Sequence, residues 1–346
     1  MGVLFVETKI VSVDNHIDNL ASYQQAVDIL EKGGVVAFPT ETVYGLGALA
    51  TDERAVQQIF AAKGRPSDNP LIVHIGTKEE VENYAIDIPE TAQLLMDECW
   101  PGPLTLVFHK RPGVIAENVT PGFQTVGIRM PDHPVALALL KQLGAPLAAP
   151  SANRSGKPSP TEAGHVYTDL QGRIPMIVDG GRTGVGVEST VLDMTTAPPT
   201  ILRPGGLTRE KIESIIGPVN AESNTPGGEA PRAPGMKYAH YAPESPLFVI
   251  ELNKELIRNA VASLHTEGKK VAVICPDEFA HGEADWYFSF GTLHDKDAMA
   301  ANLYHAIRKC DETDADVILA TETDVHGVGA AVMNRLNKAA DGKRFK

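Results

Sequence analysis

Short apolar runs alternate with segments of helical periodicity along most of the chain, and this alternation most constrains the fold. Tyr23–Gly34 has apolar residues at helical spacing and ends in Gly-Gly, a common helix stop. Val35–Phe38 then reads as a buried strand, and Asp52–Arg65 as a helix with Asp52 as its N-cap. Further strands are predicted at Pro70–Ile75, Leu104–Phe108, Thr125–Met130, Met176–Gly181 and Ser189–Met194, and a further helix at His133–Gly144. The pattern predicts a mixed α/β fold.

Composition changes near residue 218. Residues 218–245 are rich in Pro, Gly, Glu, Ser and Asn without a periodic apolar pattern, which is typical of a linker. Strands and helices then alternate again, which predicts a small parallel-sheet domain. A chain of 346 residues exceeds one typical core. We therefore predict a first domain over 1–217, a linker over 218–245 and a smaller domain over 246–346.

Composition and charge narrow the class of protein. A hydrophobic content of 43% and a charged content of 22% are typical of soluble globular proteins, and no apolar run is long enough to span a bilayer. Met1–His16 reads as a first strand rather than a signal peptide. A net charge of −13 without a Lys/Arg-rich run disfavours a nucleic-acid scaffold. Widely separated Cys99, Cys275 and Cys310 argue against disulfide or zinc sites and predict the reducing cytoplasm.

Familiar catalytic motifs are missing from the sequence. It contains no P-loop, no GxSxG and no HExxH motif. A Gly-x-Gly at Gly327 is weak by itself, and the Gly-rich Gly184–Ser189 precedes a predicted strand where a nucleotide fingerprint would follow one. Both are interpreted as turns, and no nucleophile–base pair stands out.

Polar residues instead gather where the predicted strands end. The first such cluster is a turn region in Phe38–Gly47 that carries Thr40, Glu41, Thr42 and Tyr44. Its glycines permit a close approach of the backbone to a ligand.

Four cations belong to clusters of this kind. Lys63 and Arg65 end a predicted helix, where they could simply complement the helix C-terminus. Arg129 lies in an apolar strand, where a buried salt bridge is the simpler interpretation. Together with Arg203 and nearby Ser, Thr and Asn side chains, they suit a ligand with both phosphates and a small polar carboxylate. Catalysis would then depend on positioning of the substrates and on neutralisation of the charge on the phosphates.

Eight segments in this order carry a family resemblance: FPTETVYGLG, AKGRPSDNPLIVH, WPGPLTL, TVGIRMP, APSANRSGKPSPT, GVESTVLD, ILRPG and APGMKYAHYAP. Over nearly its whole length the chain resembles the threonylcarbamoyl-AMP synthases, the YrdC-like family, in their long two-domain form. The family's KxR and SxN pairs are present as Lys63/Arg65 and Ser151/Asn153. The resemblance implies a twisted mixed sheet around a deep basic cavity, a linker across its mouth, and a smaller Rossmann-like parallel sheet.

The resemblance also implies the reaction and the partners. L-threonine, bicarbonate or CO2, and ATP would give threonylcarbamoyl-AMP and pyrophosphate, which makes the chain a nucleotidyltransferase. The product would pass to a separate transferase complex that modifies the tRNA adenosine beside the anticodon. Weak contact with tRNA and no membrane partner are expected. Mg2+ would arrive with ATP, held mainly by its phosphates, and no metal site formed by the protein is predicted.

Residue roles follow from the same resemblance. The L-threonine set comprises Thr40, His74, Arg129, Ser151 and Ser189, with Arg129 as partner of the substrate carboxylate. The ATP set comprises Lys63, Arg65, Asn69, Thr125, Asn153, Arg203, Tyr238 and Tyr241. Lys63 and Arg65 would be catalytic, because they stabilise the charge that builds on the phosphates.

Two segments receive specific hypotheses. Composition alone favours a solvated turn for Ala148–Thr161, whereas the resemblance favours a binding loop that its prolines stiffen. In the linker, Lys237, Tyr238, His240 and Tyr241 could form a lid that keeps water from the labile product, or could merely dock the linker.

Three rival functions are weighed against this one. A nucleic-acid-binding module is disfavoured by the acidic charge and the lack of an arginine-rich segment. An enzyme that makes a different carbamoyl-adenylate, as in hydrogenase maturation, would resemble a larger protein whose zinc-finger-like cysteines this chain lacks. A regulator that binds ATP or threonine without turnover would release no pyrophosphate.

Overall fold

Strands and helices alternate through the structure, which confirms the predicted α/β class. The computed structural model describes residues 6–13, 20–221 and 241–346. These residues form two compact units. The larger takes in the described residues up to Ser155, Pro160–Thr183 and residues 188–221. The smaller takes in Gly156–Ser159, Gly184–Val187 and residues 241–346, so two short segments of the predicted first domain group with the smaller unit.

The larger unit is built on strands, most of which coincide with short apolar runs in the sequence. Its strands are β1 Lys9–Ser12, β2 Val36–Phe38, β3 Gly45–Leu49, β4 Ile72–His74, β5 Ala85–Ile86, β6 Leu104–Lys110, β7 Thr125–Arg129, β8 Leu147–Ala148, β9 Met176–Asp179, β10 Thr190–Asp193, β11 Thr200–Arg203 and β12 Asn220–Ala221. Its helices are α1 Leu20–Glu31, α2 Glu53–Lys63, α3 Val81–Tyr84, α4 Glu90–Cys99, α5 Pro134–Leu143, α6 Ala163–Leu170 and α7 Arg209–Ile216. Short 3-10 helices lie at Lys78–Glu80 and Glu117–Val119.

These strands join into one mixed sheet, as predicted. The order among the described residues is β1-β9-β2-β3-β8-β4-β7-β6-β10-β11-β12, with β5 paired to β6. Strands β4 and β7 are parallel, whereas β6 and β8 run antiparallel to them. Because β4 and β7 are in register, His74 lies opposite Arg129.

Alternation along the central strands gives the sheet two chemically different faces. Leu104, Leu106 and Phe108 of β6 pack in the main hydrophobic core with Val126 and Ile128 of β7. Since successive side chains of a strand point to opposite faces, the residues between them must face the other way. Residues on this second face line a cavity: Ile72, Thr105, Val107, Thr125, Gly127 and Val191.

Helix α2 shows how local signals place a site residue. Asp52 accepts hydrogen bonds from the backbone nitrogens of Arg54 and Ala55 at 2.8 and 3.2 Å, as expected of an N-cap. Gly64 ends the helix with φ of 63°, a left-handed conformation that glycine adopts at low cost. Lys63 is therefore held at the last turn of a helix capped at both ends.

The smaller unit has the parallel sheet that the sequence predicts. Its described strands are β13 Leu247–Ile250, β14 Val271–Cys275, β15 Trp286–Ser289 and β16 Val317–Thr321. Its helices are α8 Lys254–Thr266, α9 Lys296–Cys310 and α10 Gly329–Ala339, with a 3-10 helix at Asp277–Phe279. All paired strands run parallel in the order β13-β16-β14-β15. Apolar residues of α8, such as Ile257 and Val261, pack on β14 and β16.

The sequence does not predict six of the described strands, namely β3, β5, β8, β11, β12 and β15. Gly45–Leu49 forms β3, whereas the sequence predicts a turn there, because Gly45 and Gly47 pair with Phe38 and Val36 of β2 and extend the sheet. Trp286–Ser289 forms β15 at the edge of the smaller sheet without a long apolar run. In β3, pairing with β2 outweighs the weak strand propensity of Gly45 and Gly47, whereas the aromatic residues of β15 favour a strand by themselves.

The lengths of the helices and the state of the cysteines can be read from the described residues. No helix in residues 6–13, 20–221 and 241–346 is long and apolar enough to cross a membrane. The three cysteines are buried and free, and burial raises the pKa of Cys275 to about 12.

We expect Leu106→Ala to destabilise the protein by about 2–5 kcal/mol, because it leaves a cavity where the side chain is fully buried in the core. Leu94→Ala is the matched control, since Leu94 is 50% exposed, and should change the free energy of unfolding by less than about 0.5 kcal/mol. Urea denaturation of both variants measures the difference. Equal destabilisation would contradict the assignment of this face to the core.

Candidate active site

Lys63 places a buried positive charge against the loop that follows β8. The residue is only 2% exposed. Its Nζ donates hydrogen bonds to the carbonyl oxygens of Ser151 and Asn153, both at 2.5 Å, and lies 3.4 Å from Oδ1 of Asn153. Lys63 therefore fixes the backbone that carries the SxN pair.

The SxN segment is also tied to the sheet. Ser151 forms a β-bridge with Gly45, and the backbone nitrogen of Ala152 donates to the carbonyl oxygen of Tyr44 at 2.8 Å. Ser151 Oγ donates to Oδ1 of Asn153 at 2.5 Å. Asn153 is 6% exposed and Ala152 is fully buried. This part of Ala148–Thr161 is therefore not a solvated turn.

Three predicted ATP-binding residues lie around β4 and β7. An Arg65 Nη donates to the carbonyl oxygen of Pro70 at 3.3 Å. Asn69 is 1% exposed, and its Oδ1 receives no hydrogen bond from any residue that the structure describes. Because buried acceptors are normally paired, this oxygen suits a donor on a ligand. Thr125 begins β7 and lines the cavity on the second face of the sheet.

Arg129 ends β7 and is held by three partners. Its Nε donates to the carbonyl oxygen of Gly102 at 3.3 Å, and one Nη donates to Thr42 Oγ1 at 3.0 Å. The other Nη forms an ion pair with Glu41 Oε2 at 2.5 Å. The Arg129 and Glu41 side chains are only 5% and 12% exposed. The buried salt bridge that the sequence left open for Arg129 is therefore present.

Thr40 extends this group of contacts. Its Oγ1 donates to the carbonyl oxygen of Val43 at 2.7 Å and lies 2.9 Å from Thr42 Oγ1. Since Thr42 accepts from Arg129, its hydroxyl proton is available to Thr40. A chain of hydrogen bonds thus fixes the turn before β3 to the end of β7.

His74 lies next to Arg129 on the adjacent strand. The ring is 4% exposed, and its Nδ1 is 3.2 Å from the carbonyl oxygen of Ile72. Burial, helped by the positive charge of Arg129, lowers the pKa of His74 from 6.5 to about 3. The imidazole is therefore neutral at neutral pH, and it adds no positive charge beside Arg129.

Ser189 and Arg203 form a second rigid group. Ser189 Oγ lies 2.7 Å from Thr105 Oγ1, and its carbonyl oxygen accepts from Arg203 Nε and Nη2 at 3.2 and 2.9 Å. A Cβ on Gly205 would lie 2.3 Å from the carbonyl carbon of Ser189, so only glycine permits this approach. Arg203 is 4% exposed.

The linker residues are placed differently from the rest. Lys237, Tyr238 and His240 lie outside the described residues. Tyr241 lies in the smaller unit, is 5% exposed, and packs its ring 5.2 Å from that of Tyr304. Its role in binding ATP stays a prediction.

Sequence reasoning left three of these polar residues without a role. Glu41 and Thr42 were noted in the turn before β3, and Thr105 lies inside the WPGPLTL segment. Their partners Arg129 and Ser189 are 84 to 88 positions away in the chain, so the local sequence pattern does not reveal the pairs. The sequence offers one signal for Thr105: it is a polar residue between Leu104 and Leu106 in an otherwise apolar run, so it faces away from the side of the strand that carries the leucines.

Comparison with known families covers most of the chain. The Sua5/YciO/YrdC family model, described as telomere recombination, matches residues 28–205. The model of the threonylcarbamoyl-AMP synthase C-terminal domain matches residues 207–341.

The chain belongs to the Sua5/YciO/YrdC family. A threonylcarbamoyl-AMP synthase of Bacillus subtilis is 50% identical over 321 residues, which are 92% of this chain and 93% of the relative. A protein of the same name from Pyrococcus abyssi is 48% identical over 327 residues, 93% and 94% of the two chains.

Solved structures of Sua5/YciO/YrdC proteins agree with this membership. The crystal structure of P. abyssi Sua5 complexed with L-threonine has a TM-score of 0.93 at 46% identity and covers 98% of this chain and 99% of its own. Escherichia coli YciO has a TM-score of 0.53 at 26% identity and covers 57% of this chain. The long two-domain form predicted from the sequence is therefore confirmed at the level of the fold.

We expect His74 to make stability depend on pH. The unfolded chain takes up a proton near pH 6.5, whereas folded His74 stays neutral down to about pH 3. Lowering the pH through this window therefore favours unfolding, by about 2 kcal/mol between pH 6.5 and pH 5. Urea denaturation as a function of pH should show a shallower dependence for His74→Asn. His109→Asn is the matched control, because His109 also lies on a strand but is exposed. If the slope of unfolding free energy against pH is the same in His74→Asn as in the wild type, the lowered pKa of His74 is contradicted.

Proposed function

We propose that this chain is a threonylcarbamoyl-AMP synthase, which joins L-threonine, bicarbonate or CO2, and ATP to give threonylcarbamoyl-AMP and pyrophosphate. The observation that carries the proposal is the buried contact of Lys63 with Ser151 and Asn153 in a chain that matches, at a TM-score of 0.93, a protein complexed with L-threonine. The names of the two relatives described above support the same activity.

The threonine end of the site would use groups that are already fixed. Arg129 keeps donors beyond its three protein contacts, because a guanidinium carries five N–H groups, and it can pair with the substrate carboxylate. Neutral His74 and the hydroxyls of Thr40 and Ser189 suit the threonine hydroxyl group. Because these polar groups are already held in place, little free energy is lost in ordering them when the substrate binds.

The ATP end would use Lys63, Arg65, Asn69, Thr125, Asn153 and Arg203. Lys63 and Arg65 supply positive charge where negative charge builds during phosphoryl transfer. Because Lys63 is buried, its charge is screened less by water than that of an exposed lysine. Tyr238 and Tyr241 remain proposed contacts of the nucleotide.

The chemistry has two steps in this proposal. The ammonium group of threonine first gives a proton to solvent. The neutral amine then adds to the carbon of CO2, with release of a second proton to solvent, or to that of bicarbonate, with loss of water, and forms a carbamate. A carbamate oxygen then attacks the α-phosphorus of ATP, and the bond to the bridging oxygen of the β-phosphate breaks, which releases pyrophosphate. The protein contributes position and charge, as is usual for attack on phosphorus.

Mg2+ would enter as part of the ATP substrate. Mg2+ prefers oxygen ligands, carboxylates among them, but the ATP set contains lysine, arginine, asparagine and threonine, and Glu41 is paired with Arg129. These residues fit a metal ion that the phosphates hold, and they suggest no separate protein cage.

The proposed partners and location follow from the chemistry of the product, threonylcarbamoyl-AMP. A mixed anhydride of this kind is labile to water, so a transferase that places the threonylcarbamoyl group on tRNA adenosine is the proposed consumer. A lid formed by the linker would protect it, and weak tRNA contact and a cytoplasmic location complete the proposal.

We expect threonine-dependent release of pyrophosphate from ATP in bicarbonate buffer with Mg2+. Lys63→Ala should lower kcat at least about 100-fold, the loss typical of removing one group that stabilises the transition state. Lys141→Ala is the matched control, since Lys141 is the corresponding last-turn lysine of α5 but is exposed. Absence of release under all conditions would instead support a regulator that binds its ligands without turnover.

We expect Asn153→Ala to weaken ATP binding about tenfold, because the loop loses both a ligand contact and the Ser151 hydrogen bond. Asn220→Ala, at an exposed position on β12, should bind ATP like the wild type. Calorimetric titration measures both, and unchanged affinity in Asn153→Ala would reject the binding-loop interpretation.

A further inference from the structure

Glu41 is a buried carboxylate without an assigned role. It follows Thr40 in the turn before β3, and its side chain is only 12% exposed. Apart from the ion pair with Arg129, neither of its oxygens receives a hydrogen bond from the residues that the structure describes. An ionised carboxylate can accept about four hydrogen bonds, and leaving them unmade in a buried place is costly.

The ion pair by itself does not account for this position. Replacing a buried ion pair by apolar residues is often neutral or stabilising, so such a pair is weak evidence for a purely structural role. The turn is already fixed without Glu41, through the hydrogen bonds among Arg129, Thr42 and Thr40. The carboxylate balances the charge of Arg129, and this one contact leaves its remaining acceptor positions open to a ligand.

The arrangement of the two charges matches one kind of ligand. Arg129 and Glu41 present a cation and an anion with their charged atoms 2.5 Å apart. An α-amino acid carries a carboxylate and an ammonium group on the same carbon, so its two charges are spaced to meet such a pair. The histidine whose charge interacts with Glu41 is His133, and burial lowers its pKa below the ordinary value of 6.5, which disfavours a second cation beside Glu41 at neutral pH.

We propose that Glu41 binds the α-amino group of the amino-acid substrate while Arg129 binds its carboxylate. The proposal rests on the proposed function, since it assumes that an amino acid binds beside Arg129. Glu41 is then a residue that determines specificity: it selects a ligand with a free α-amine over an otherwise identical hydroxy acid. It also holds the nitrogen that must react with CO2 or bicarbonate at a fixed place beside Arg129.

Two ligands that differ only in the amine test the proposal. L-threonine carries the ammonium group, and 3-hydroxybutanoate keeps the carboxylate and the hydroxyl but lacks it. Calorimetric titration of the full chain with each ligand should show that Glu41→Gln weakens L-threonine binding by about 10- to 100-fold, the range for a lost hydrogen bond to a charged group. Binding of 3-hydroxybutanoate should change less than about twofold.

The control and the second variant keep the test decisive. Glu213→Gln removes the same charge from an ion pair with Arg209 at the surface and should leave both affinities unchanged. If Glu41→Gln does not fold, as judged by circular dichroism, Glu41→Asp gives the same comparison with the charge retained and should also lose L-threonine affinity selectively.

Each other outcome overturns the inference. Equal loss for both ligands would show that Glu41 only positions Arg129. Tighter binding of both ligands to Glu41→Gln would show that Glu41 competes with the substrate carboxylate. Failure of the wild-type chain to bind L-threonine would reject the proposed function itself, whereas binding by the wild type with unchanged preference in Glu41→Gln rejects only the role of Glu41.

Discussion

The opposite chemistry of the two faces of the large sheet underlies the rest of the larger unit. Leu106 and Ile128 face the core from neighbouring strands, whereas Thr105 and Arg129 face the other way. A shift of one residue in the register of β7 would bury Arg129 in the core and expose Ile128 on the polar side. The hydrophobic core therefore fixes the position of the polar groups, because its burial specifies the register.

The buried charges of the larger unit are held by partners rather than left in isolation. Lys63 is surrounded by oxygens of the loop, and Arg129 by Gly102, Thr42 and Glu41. Burying a charge costs several kcal/mol unless it is paired and hydrogen-bonded, so these contacts are needed for the residues to be buried at all. The same contacts hold the side chains still, which favours electrostatic stabilisation of a reacting ligand.

Much of this arrangement was predictable because it follows from local rules. Asp52 marks the start of α2 and Gly64 its end, so the helical position of Lys63 follows from the sequence. Resemblance to known motifs then indicated Ser151 and Asn153, although composition alone favoured a solvated turn. The pairing of Glu41 with Arg129 was not predictable in this way, because the two residues are brought together only when β7 enters the sheet beside β4.

The sequence by itself determined the α/β class, the parallel sheet of the smaller unit and the family, because periodicity, caps and contiguous motifs are local properties. Only the tertiary structure decided which side chains meet. It placed the Lys63 ammonium group on the carbonyl oxygens of Ser151 and Asn153, and it lowered the pKa of His74 through burial beside Arg129. Contacts and desolvation depend on residues that are distant in the chain, so they exist only once the strands have paired.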